Sequence, residues 1–62
     1  MKLKIEIDMG NAAFDPAADV EAARILGLLA KRIGETGLPD KTLPIHLRDI
    51  NGNKVGLAKV VK

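Results

Sequence analysis

The sequence predicts an α/β (α+β) domain: a two-layer β-α-β-β sandwich, in which one helix covers one face of a three-stranded sheet. Three observations carry this. Residues 2–9 alternate, with Leu3, Ile5, Ile7 and Met9 against Lys2, Lys4, Glu6 and Asp8, the period of a half-buried strand. Residues 16–35 hold a helical apolar stripe between Asp15-Pro16 and Gly37-Leu38-Pro39. Residues 42–61 hold two β-rich runs around Asn51-Gly52, a strong short hairpin signal.

The helix has matching ends. Asp15 suits the N-cap and Pro16 the first helical position, where a missing N–H costs nothing. Asp19 and Glu21 lie near the positive end of the dipole, and Lys31 and Arg32 near the negative end. Gly37 is a natural stop. At 100° per residue, Ala18, Ala22, Ile25, Leu26, Leu29 and Ile33 share one stripe, and Glu21, Arg24, Lys31, Arg32 and Glu35 fall opposite. Val20 and Leu28 flank Arg24 on that charged side, on one i, i+4, i+8 row. Single exposed apolar residues are ordinary; the sharper reading is that the row touches a partner.

The hairpin strands are expected at 42–50 and 54–61. A type I′ turn with Asn51 and Gly52 in the centre pairs Asp49 with Lys54, Arg48 with Val55, Leu47 with Gly56, His46 with Leu57 and Ile45 with Ala58. One face then carries Leu43, Ile45 and Leu47 against Gly56, Ala58 and Val60, and receives the helix. The other carries His46, Arg48, Val55 and Leu57, and stays open. Pro44 has no N–H for a ladder, which makes the second strand an edge and favours the order 1-3-2. Strand 1 is then an edge too, able to pair with a second copy. Lys2 and Lys4, charges of the kind that blunt edges, leave a monomer open.

Sixty-two residues form a single domain, 1–62, and such a chain buries only about 60% of its unfolded surface. Small domains of this kind add disulfides, metals or subunits. Cysteine is absent and His46 is the sole histidine, so no thiolate or histidine metal cluster is expected. Together with the free edge, the small core points to a homodimer. The N-terminal alternation is not the apolar run of a signal peptide. The longest apolar stretch, Ile25 to Ala30, is far short of the roughly 20 residues that span a bilayer. A cytoplasmic protein without a membrane role is expected.

No catalytic constellation emerges. Serine and tyrosine are absent, and the only hydroxyls are Thr36 and Thr42. His46 lacks an obvious nucleophile to serve. The carboxylate pairs Asp15/Asp19 and Asp19/Glu21 sit at a helix N-terminus, where they are expected to be solvated and ionised, unlike a general acid whose pKa is raised by burial. Asp49 to Asn53, "DINGN", opens like a calcium loop, but Lys54 and Val60 stand where such loops need Gly and a bidentate Glu; it reads as a turn with its own side-chain hydrogen bonds. "MGNAAF" has one glycine where a dinucleotide fingerprint has three. The chain reads as a non-enzyme with no cofactor and no metal. Phe14, the only aromatic residue, is expected to plug the open end between helix and sheet.

Charge supplies one alternative. The net charge is +2, yet residues 41–62 hold Lys41, Arg48, Lys54, Lys59 and Lys62 against a single acid, Asp49. These five could contact phosphates. Against this, readers of single strands stack bases on aromatic side chains, and this hairpin has none.

"IEIDMGNAAF", "AARILGLLAKRI" and "LRDINGNKVGLAKV" together resemble a group of very short proteins of bacteriophages and other mobile elements, with I-E-I…N-A-A-F before a helix and a closing L-R-D-x-N-G-N-x-V-G hairpin. The resemblance runs over nearly the whole chain and is most specific at "GNAAF" and "DINGNKVG". It implies a small accessory protein of unknown function that binds, and by analogy inhibits, a host or phage protein. The expected contact surfaces are Val20, Arg24 and Leu28 on the helix, and His46, Arg48, Val55 and Leu57 on the sheet.

Overall fold

A computed structural model describes residues 1–40 and 42–62. The elements are β1 (Lys2–Ile7), a 3-10 turn η1 (Ala12–Phe14), α1 (Ala18–Thr36), β2 (Ile45–Arg48) and β3 (Lys54–Val61). The three strands form one antiparallel sheet in the order β1-β3-β2, as Pro44 and the hairpin predict. One helix lies on one face, so the fold is the expected α+β sandwich.

The core is small and one-sided. Ile25 and Leu29 of α1 meet Ile45, Leu47, Val55 and Ala58 of the sheet, with Phe14 packed among them. Phe14 is therefore the expected plug. It lies in η1, whose start is capped by Asn11: the side-chain oxygen accepts the Ala13 N–H at 2.9 Å.

Several boundaries differ from expectation, each for a local reason. Asp15 does not cap α1. Its N–H closes η1 on the Ala12 carbonyl, so α1 begins at Ala18, after Ala17, which offers no side-chain cap. Pro16 thus lies before the helix. β1 ends at Ile7 because the Asp8 carboxylate accepts the Gly10 N–H at 2.9 Å and turns the chain; Met9 is exposed. β2 starts at Ile45, not at residue 42. Asp40 holds the preceding turn through the Thr42 N–H and hydroxyl, and Leu43, expected in the core, is 70% exposed. Leu26, expected on the buried stripe, is exposed at its flank.

The hairpin turn is also different. Asn51 does not adopt positive φ; only Gly52 does, at +86°. The Gly52 N–H bonds to the Asp49 carbonyl at 3.0 Å, and the Asp49 N–H to the Asn53 carbonyl at 2.9 Å. This is the longer loop that ends in a positive-φ glycine. The Asp49 carboxylate selects it by accepting the Asn51 and Asn53 N–H groups. Asp49 therefore does not pair with Lys54. Arg48 faces Lys54, not Val55, across a bulge after Leu47. The extra β3 residue breaks the alternation, and Val55, expected on the open face, is buried in the core. From His46–Leu57 to Ile45–Ala58 the register is the expected one.

Candidate functional site

α1 packs against β2 and η1, and leaves a cleft along the β2 edge. Leu28, Leu29, Arg32, Ile45, His46, Leu47 and Arg48 line a volume of about 250 Å³. The buried Leu29, Ile45 and Leu47 form its floor; the exposed Leu28, Arg32, His46 and Arg48 form its walls. The row Arg24-Leu28-Arg32 brings the helix wall there at four-residue spacing. His46 and Arg48 project from alternate positions of β2. Of the expected surfaces, Leu28 of the helix row and His46 and Arg48 of the hairpin thus border one cleft at the β2 edge. The lining residues include Leu28, Arg32, His46 and Arg48, and no acidic residue. Such a cleft suits an apolar group beside a negative charge.

A polar clasp ties α1 to the hairpin beside the cleft. Glu21 accepts from Arg24 Nε and Nη2 at 2.8 and 3.0 Å, and from the Ile50 N–H at 2.8 Å. Arg24 Nη2 also donates to the Arg48 carbonyl at 3.3 Å. The helical pattern places Glu21 on the solvated face, yet only 6% of it is exposed. The Arg24 guanidinium, followed by burial in the other direction and the Ile50 N–H, leaves its carboxyl below the ordinary 4.5. Arg24 is thus a structural link that supports the cleft. Arg48 is held in turn by Nη1 donating to the Gly52 carbonyl at 3.1 Å.

The remaining candidates separate. Val20 is exposed on α1 but does not line the cleft. Leu57 lies opposite both Glu6 and His46 on the uncovered sheet face. Val55 is in the core. Of the phosphate-contact set, Lys59 faces Lys4 on the uncovered face, Lys54 lines a different, polar cleft with Asp8, Gly10 and Asn11, and Lys62 follows the end of β3. Lys41 lies outside the described residues. Arg48 and Lys54 are cross-strand partners, but the described cations of this set share no one cleft.

Neither hydroxyl stands ready as a nucleophile: Thr36 donates to the Arg32 carbonyl and Thr42 to Asp40, both at 2.9 Å. Among the described residues no group of three His, Asp or Glu side chains is placed to hold a metal, and no helix is long and apolar enough to cross a membrane. The "GNAAF" loop spends its polar groups internally, since Asn11 both caps η1 and donates to Asp49 at 2.7 Å.

No family model, curated protein or solved structure matches the chain. Its function has to be read from the fold and the cleft.

Sequence reasoning missed two residues that shape this region. Glu21 read as a surface charge, but it accepts the Ile50 N–H of the hairpin turn; Asp49, expected in a turn with its own side-chain hydrogen bonds, makes them to Asn51 and Asn53. Arg32 is the other: its four-residue spacing from Leu28 was the available signal.

Proposed function

We propose that this chain is a non-enzymatic interaction protein, working in the cytoplasm as a homodimer, and that the α1–β2 cleft receives an apolar, acidic segment of a partner protein. The observation that carries the reading is the convergence of Leu28 with Arg32, His46 and Arg48 at the open β2 edge. An exposed leucine beside unopposed cations offers both apolar area and electrostatic steering. The likeness of "GNAAF" and "DINGNKVG" to short phage and mobile-element proteins supports an accessory role, with a host or phage protein as the partner and inhibition as one outcome of binding.

The test is retention of partners from a host lysate by the wild type and by Leu28→Asp. A protein held by the wild type and lost from a folded Leu28→Asp variant supports the cleft. Retention unchanged by Leu28→Asp removes it. Retention of duplex DNA or RNA that fades steeply with salt transfers the reading to the alternative, nucleic-acid binding through Arg48, Lys54, Lys59 and Lys62.

A further inference from the structure

We infer that β1 is the homodimer interface, and that two copies join antiparallel about Ile5 into one six-stranded sheet. This rests on the proposal that the chain self-associates, and is independent of what fills the cleft.

The two edges of the sheet are not equivalent. β2 has four residues, follows Pro44, and has its Arg48 carbonyl taken by Arg24. β1 has six residues and no proline. Its apolar side is also poorly covered, because α1 lies toward β2. Leu3 and Ile5, opposite Val60 and Ala58 on the helix side of the sheet, remain 41% and 40% exposed. Leu26 is exposed on the helix flank opposite Leu28. The chain as a whole exposes 4405 Å², against about 3,900 Å² for a typical folded monomer of its mass.

Backbone direction and charge together select a single register. The Asp8 N–H donates to the Val55 carbonyl at 2.7 Å, so Lys2, Lys4, Glu6 and Asp8 direct their backbone groups at β3. Leu3, Ile5 and Ile7 direct theirs at the free edge. A second β1 must therefore place odd residues opposite odd residues. Centring on Lys4 sets Lys4 against its own copy, and centring on Glu6 does the same for Glu6. Both oppose like charges, which destabilises. Centring on Ile5 sets Lys4 opposite Glu6, Lys2 opposite Asp8, Leu3 opposite Ile7, and Ile5 opposite Ile5. Lys4 and Glu6 then face their opposites, Lys2 meets Asp8 just past the strand end, and the exposed apolar residues form one row on the helix side of the joined sheet.

The experiment is sedimentation equilibrium of the wild type, Lys4→Glu, and the double variant Lys4→Glu/Glu6→Lys. Lys4→Glu leaves the protomer intact, since it replaces the Lys4–Lys59 like-charge pair by an attractive one; circular dichroism confirms the fold. The wild type is expected to dimerise at micromolar concentration. Lys4→Glu raises the dissociation constant by at least about tenfold, because symmetry spoils two pairs at once, and the double variant restores it to within about threefold. A wild-type monomer overturns both the self-association and this interface. A dimer indifferent to Lys4→Glu, or one that the double variant fails to restore, overturns the β1 register while self-association stands.

Discussion

Asn11 Nδ2 donates to Asp49 Oδ2 at 2.7 Å, across 38 residues of sequence. The bond joins the corner after β1 to the hairpin turn. Both partners make further bonds. The Asn11 oxygen caps η1, and Asp49 also accepts from Asn51 and from Asn53 twice. The pair therefore holds η1, and with it Phe14, against the sheet.

Removing Asn11 tests that linkage. Loss of the cap alone costs about 1 kcal/mol, which lowers the melting temperature of a domain this small by about 4–8 °C. Asn11→Ala should exceed that, because Asp49 also loses a donor. Asn11→Asp keeps the cap but brings a second carboxylate to Asp49. Its melting temperature should fall at neutral pH and recover partly on acidification, whereas that of Asn11→Ala should not recover. Thermal melts followed by circular dichroism distinguish them.

Acid should unfold the protein through Glu21 and Asp49. Glu21 is held below its ordinary 4.5 by Arg24 first, then the Ile50 N–H, against burial. Asp49 is pushed up by burial, but the Asn53, Asn11 and Asn51 donors outweigh this and leave it below 3.8. A carboxyl whose folded pKa is depressed binds its proton more readily when unfolded, so stability is fully present above the unfolded value and is lost as pH falls through the folded one. Melting temperature should fall steeply only below about pH 4.5. Glu21→Gln should lower it at neutral pH and flatten the acid limb. An unchanged acid limb would show that the clasp to Ile50 does not stabilise the fold.

The clasp and the turn also show where sequence patterns stop. The order 1-3-2 was legible because Pro44 cannot serve a central strand, and Ile45, Leu47, Ala58 and Val60 were legible because strand alternation survives from Ile45 to Leu47. Val55 was not, because counting assumes one residue per partner and the bulge adds one. Asp49 was legible as a turn residue with its own side-chain hydrogen bonds but not as a buried one, and Glu21 was not legible, because hydropathy scores a carboxylate as surface whatever it binds. At 4% and 6% exposure they act as surrogate turn and strand partners for backbone N–H groups, a role set by the turn type. The cleft was half legible: Leu28 and His46 stood out singly, and the packing of α1 toward β2 brings them together.

Phe14 should be the costliest core side chain to truncate. It is buried with Ile25, Leu29 and Val55, and it is the sole aromatic in the chain. Phe14→Ala should cost about 3–5 kcal/mol, most of the total stability expected for a chain this short. Urea denaturation followed by circular dichroism measures it. A loss under about 1 kcal/mol would mean that Phe14 is replaceable by its neighbours.

Gly56 should tolerate no side chain, while two other glycines should welcome one. A Cβ on Gly56 would lie 1.9 Å from the Glu6 carbonyl oxygen and 3.0 Å from the Ile7 Cα. These are backbone atoms of β1, opposite the bulge, so relief requires β1 to move away from β3. Gly56→Ala should cost about 1–3 kcal/mol or more and should speed amide exchange along β1 ahead of β2. Gly27 and Gly34, in contrast, lie inside α1 with open space where a methyl group would project. Each change to Ala there should add about 0.5–1 kcal/mol. If Gly56→Ala is as stable as the wild type, β1 is not held as closely against β3 as the register implies.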